Sequence, residues 1–98
     1  MIKKEDIHHF ETQDSLSFLV NIKGNRYPVD YTLDQLEELI DPKDFFRINR
    51  KIILSINTIE KVSSYFNGRL AISNPHLEGD ARIVSRERVQ DFKTWLNS

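Results

Sequence analysis

The sequence predicts a mainly β fold of short antiparallel strands with two short helices, built as a single domain. Three observations predict it. Apolar and polar residues alternate at period two, most clearly over Leu16–Ile22. Turn signals separate such stretches, above all Lys23-Gly24-Asn25-Arg26 and Asn67-Gly68. Helical spacing of apolar residues occurs in only two short segments, one after Thr32 and one after Ser85. At 98 residues, 39% hydrophobic and 30% charged, the chain has the composition of one globular domain with a modest core.

The elements follow in order. Ile2–Glu11 and Leu16–Ile22 read as strands joined by the polar link Thr12–Ser15. The Gly24 turn returns the chain into Tyr27–Asp30. Thr32 and Gln35 have the spacing of a capping box, in which each side chain satisfies the other's orphan N–H. Leu33, Leu36, Leu39 and Ile40 form the helix's apolar stripe, and Asp41-Pro42 ends it, because the residue before proline resists helical torsions. The stretch FFRINRKIILSI (residues 45–56) follows, with Phe46 and Ile48 inward and Arg47 and Asn49 on the other face. Arg50 and Lys51 fall where that strand ends and the chain turns. Ile59–Phe66 and Arg69–Ser73 flank Asn67-Gly68, whose residues tolerate the positive φ of a type I′ turn. Asn74–Asp80 is loop and Ala81–Val84 a short strand. Ser85 is the expected N-cap of a last helix whose Val89, Phe92, Trp95 and Leu96 share one buried face.

Several function classes are disfavoured. The chain has no cysteine, so disulfide frameworks and thiolate metal or redox sites are excluded. The segment MIKKEDIHHFE has no apolar core of a signal peptide, and no apolar run approaches the ~20 residues of a membrane helix. A cytoplasmic setting is expected. His8 and His9, as strand neighbours, should face opposite sides and chelate poorly, and Glu78-Gly79-Asp80 lacks calcium-loop spacing. No phosphate-binding glycine loop, nucleophile elbow or HExxH motif occurs. Neither a metal, a cofactor nor an enzymatic activity is expected. Of Tyr65 and Phe66, one should be core and the other exposed.

Charge is distributed unevenly. Residues 1–45 hold five Lys/Arg against ten Asp/Glu, and residues 46–98 hold nine against five, within a net charge of −1. Such asymmetry hints at a polyanion-binding face. Two clusters concentrate it. In R-x-N-R-K (Arg47, Asn49, Arg50, Lys51) the residue types suit a nucleic-acid edge: Arg pairs with guanine, Asn with adenine, Lys with phosphate. In Ser85–Arg88, Arg86 and Arg88 occupy the first turn of a helix, where cations oppose the helix dipole and cost about 0.3–1 kcal/mol each. An external anion would explain them. A plain solvated surface, neutralised by Glu87 or Asp91, is the competing reading.

FFRINRKIILSINTIEKV, YFNGRL and VSRERVQDFKTWL, in this order, resemble the LytTR DNA-binding domain along essentially the whole chain. The resemblance implies an elongated set of small sheets that binds duplex DNA through loops and strand ends in successive major grooves. It implies an output domain of bacterial two-component response regulators, here without a receiver domain; dimers on repeated half-sites are expected of the full-length protein, with the isolated domain open to being a monomer. By position it assigns base reading to Asn49, where the family usually has His, and to Arg50. Lys51 replaces a usual Ser and adds charge near the DNA backbone, and Ser55 replaces a usual Asn. Arg86 and Arg88 fall in the C-terminal contact region. Arg47 matches a family Arg, for a phosphate contact or a structural role. Ser15 and Ser17 fall in the contact loop after the first strand, with Asp14 an unfavourable neighbour for phosphate. The alternative is a protein-interaction module whose basic face meets an acidic partner such as its own receiver. RNA binding would call for a row of stacking aromatics, which the pattern lacks.

Overall fold

Asp14 and Ser15, both at positive φ (53° and 68°), close the first hairpin. The computed structural model describes residues 2–98. The hairpin joins β1 (Ile7–Gln13) to β2 (Leu16–Asn21). A turn through Gly24 leads to β3 (Arg26–Val29). Helix α1 (Leu33–Leu39) follows, then β4 (Phe45–Asn49) and β5 (Ile52–Ser55). These five strands form one antiparallel sheet in the order β3-β2-β1-β5-β4. The remaining strands, β6 (Lys61–Ser64), β7 (Leu70–Ser73) and β8 (Ile83–Val84), make a second antiparallel sheet, and α2 (Val89–Leu96) ends the chain. The domain measures 36 × 29 × 25 Å, so its elongation is mild.

β5 is buried on both faces and divides two cores. Ile53 packs with Phe10, Phe45 and the Leu33 and Leu36 face of α1. Ile52 and Leu54 point the other way, into a cluster with Ile48, Ile72, Val84, Phe92 and Trp95 that joins the two sheets and α2. This is period-two alternation serving two cores at once. Phe46 meets the rings of Phe92 and Trp95 at 5.7 and 5.3 Å, and the Trp95 indole donates to the Lys43 carbonyl at 3.2 Å. Phe92 and Trp95 are therefore core residues, as their spacing predicts.

The capping box forms: Gln35 N donates to Thr32 Oγ1 (3.1 Å) and Thr32 N to Gln35 Oε1 (2.9 Å). The Asn67-Gly68 turn also forms, with φ of 58° and 75°. Tyr65 is half-buried beside it and Phe66 exposed. Some boundaries differ from expectation. β1 starts at Ile7 instead of Ile2, because Lys4–Asp6 form a 3-10 turn. Leu39 is 63% exposed, because the two-turn α1 buries only its Leu33 and Leu36 side chains. Ser85 does not cap a helix: Arg86–Arg88 form a 3-10 turn first, and α2 begins at Val89.

The histidines depart furthest from strand alternation. A register shift between Ile7 and His9 marks a β-bulge at His8, and a bulge re-aims a side chain. His8 and His9 consequently lie together, their Nδ1 atoms 2.8 Å apart, and His76 packs edge-on to His8 at 4.8 Å. His9 Nε2 bonds Glu11 at 2.8 Å, and Glu11 also pairs with Arg26. Burial, reinforced by His9 and His76, pushes the His8 pKa down to about 4, and burial lowers His9 as well. Among the described residues no group of His, Asp and Glu side chains is arranged to hold a metal ion.

Candidate nucleic-acid interface

The β4–β5 connection is a two-residue loop, Arg50-Lys51, made possible by three bonds of one side chain. Asn49 Oδ1 accepts from the Lys51 N–H at 2.8 Å, which closes a local Asx turn. Its Nδ2 donates to the carbonyls of Ala81 (3.0 Å) and Ile83 (2.9 Å). Asn49 thus fastens the loop of the larger sheet to the chain entering β8 of the smaller one. Its amide is turned inward and engaged in bonds that position the loop.

Arg47 braces the loop from the α1 side. Its guanidinium donates to the carbonyl of Arg50 (2.7 Å) and, through Nε, to that of Asn49 (3.3 Å). The same group pairs with Asp34 and, at 2.7 Å, with Glu37 of α1. Only 13% of the side chain is exposed. Burial opposes its charge, but the bonds from Glu37 and Asp34 outweigh that, and the pKa moves up. Of the two roles open to Arg47, the geometry is that of a structural one. The i, i+3 acids of α1, Asp34 and Glu37, were the sequence signal for this partner.

Arg50 and Lys51 remain on the outside. The Lys51 carbonyl accepts from Thr12 N at 3.0 Å, which pins the loop against the β1–β2 hairpin. Both side chains are exposed and, among the described residues, neither has an ion-pair or side-chain hydrogen-bond partner. With Thr12, Gln13, Asp14 and Ser15 they line one shallow depression. With Asn49, Asp80, Ser85 and Glu87 they line a second. Ser15 is exposed at the hairpin tip and lines the same depression as the loop. Ser17 does not. It is 7% exposed, on the β2 face that carries Leu19 toward α1, and it lines a depression with Thr12, Ser15, Leu33 and Arg47.

Ser85 brings the last cluster alongside. Its N–H and hydroxyl both donate to the Ile48 carbonyl, at 2.9 and 3.3 Å, hanging the start of the Arg86–Arg88 turn from the edge of β4. Arg86 is exposed, also without an ion-pair partner among the described residues. Arg88 diverges from it. Two residues along the 3-10 turn, it points under β4 into a cleft with Glu37, Phe45 and Asp91, its Nε buried without a partner. The structure therefore brings Ser15, Arg50, Lys51 and Arg86 to the surface, with Arg47 and Asn49 as supports, and sets Ser17 and Arg88 apart. No helix of the described residues is long and apolar enough to cross a membrane.

The description LytTr DNA-binding domain belongs to a family model that matches residues 1–97. No curated protein sequence matches significantly. Among solved structures the chain is similar to the LytTr DNA-binding domain assigned to a methyl-accepting/DNA response regulator from Bacillus cereus. The TM-score is 0.84 at 18% identity, over 99% of this chain and 86% of that one, and at that identity the likeness speaks to the fold. A mainly β fold of two antiparallel sheets and two helices, matched along nearly its whole length, places the chain in the LytTR family, a family of DNA-binding domains and not of enzymes.

Proposed function

We propose that the domain binds duplex DNA sequence-specifically, as the output part of a cytoplasmic two-component response regulator. Family membership supports DNA as the ligand. The finer reading rests on one observation: Arg50, Lys51 and Arg86 are exposed and without ion-pair partners on backbone that is bonded down from both sides. Cations held this way serve an external anion better than they serve folding. Arg50, with its two-bond fork, reads a base edge in the major groove, and Lys51 neutralises a phosphate. Arg86 enters the neighbouring groove segment, and Ser15 touches the backbone from the hairpin. Arg47 and Asn49 hold the loop without touching DNA. A receiver domain supplies the regulatory signal, and dimers occupy repeated half-sites.

Arg86→Glu tests this reading. Duplex affinity should fall at least about tenfold at moderate salt while the melting temperature stays within a few degrees of wild type. A melting-temperature drop that accounts for the lost binding would reject it. Duplex binding insensitive to salt would point instead to a protein partner for the basic face.

A further inference from the structure

One basic and aromatic patch lies beyond these contacts, at the β6–β7 turn. Phe66 is 73% exposed at the tip. Behind it, the Tyr65 ring is approached by two arginines, Arg69 from the turn and Arg82 from the 3-10 turn before β8, with guanidinium carbons 5.0 and 5.9 Å from the ring centre. Arg69 Nε also donates to the Phe66 carbonyl at 3.0 Å, which fixes its direction. Among the described residues neither arginine forms an ion pair. The patch is continuous with the proposed interface. A Cβ built on Gly68, inside the turn, would lie 3.9 Å from Arg86 Nε.

A lone exposed phenylalanine needs no explanation. Its setting does. A guanidinium laid against an aromatic ring keeps its N–H edges free, and those edges match phosphate oxygens. Three arginines around one turn concentrate positive charge where a polyanion would meet it. We infer that the β6–β7 hairpin tip is a further DNA-contacting element: Arg69 and Arg82 hold the phosphates that flank the groove entered by Arg86, and Phe66 packs on the deoxyribose edge beside them. DNA is the occupant because the patch is positive and adjoins Arg86. The inference rests on the proposed function, and it adds affinity without sequence information, since phosphate and sugar contacts position rather than specify.

The test measures affinity of the full chain for a fluorescent mixed-sequence duplex across about 50–200 mM salt. Arg69→Gln and Arg82→Gln should each reduce the slope of log K against log salt by about 0.9, and Arg69→Lys should restore it. Phe66→Ser should weaken binding several-fold on every sequence with the slope unchanged. Unfolding midpoints report folding of each variant. If Arg69→Gln and Phe66→Ser bind as wild type while Arg86→Gln binds weakly, the hairpin stands off the DNA and this inference alone is overturned. If the wild-type chain shows no salt-dependent duplex binding, the proposed function fails and this inference fails with it.

Discussion

Arg47 and Arg50 stand three residues apart and live in opposite surroundings. Arg47 is nearly buried, with two carboxylates and two carbonyls around one guanidinium. Arg50 is exposed, and only its carbonyl is used, by Arg47. A small domain presents charge by dividing its polar side chains between two tasks. One set of polar side chains, Arg47 and Asn49, is consumed in fixing backbone. The other, Arg50, Lys51 and Arg86, is left free by that fixing. Damage to the first set should appear as lost stability, and damage to the second as lost binding.

The largest expected effect breaks the mount. Asn49→Ala removes three hydrogen bonds, two of them to the Ala81 and Ile83 carbonyls, which should cost roughly 3 kcal/mol of stability. Chemical denaturation measures it. A loss below about 1 kcal/mol would mean that the loop is held by other means.

Acid acts on stability at the far end of β1, away from the loop. The unfolded chain protonates His8 near 6.5, and the folded one only near about 4. The unfolded state thus binds more protons between those values, so stability is full above pH ~6.5 and falls as pH drops toward ~4. The fall should be on the order of 3 kcal/mol, with His9 acting in the same direction. Urea midpoints across that range test it. Equal midpoints at both ends would show that the histidine cluster opens without cost.

The smallest effect belongs to the presented set. Lys51→Gln should lower the salt slope of duplex binding by about 0.9 and leave stability within about 0.5 kcal/mol of wild type. Loss of stability in this variant, with the slope unchanged, would erase the distinction between mount and presented charge.

Much of the fold was legible in local chemistry. The capping box, the Asn67-Gly68 turn and the Phe92–Trp95 face each depend on residues a few positions apart. What escaped depends on distant partners. The amide of Asn49 is engaged by the carbonyls of Ala81 and Ile83, more than thirty residues on. Ser17 sits on the polar side of its strand by alternation, yet that side carries Leu19 toward α1 and Ser17 is buried there. The histidine pair broke the alternation rule because a bulge interrupts the pleat at His8. Arg86 and Arg88, read together in one helical turn, separate because residues two apart on a helical turn point to different sides, and Ser85 hangs that turn from β4 so that Arg88 meets the cleft.

In the proposed function Arg50 reads a base from a loop fixed by Arg47 and Asn49. The most direct measurement is selection from a random-duplex pool with the wild-type domain and with Arg50→Ala in parallel. The account predicts an enriched motif for the wild type and, for the variant, loss of information at one position with about 1–3 kcal/mol less affinity. Equal weakening on every sequence, or no enrichment by the wild type despite salt-sensitive binding, would contradict it.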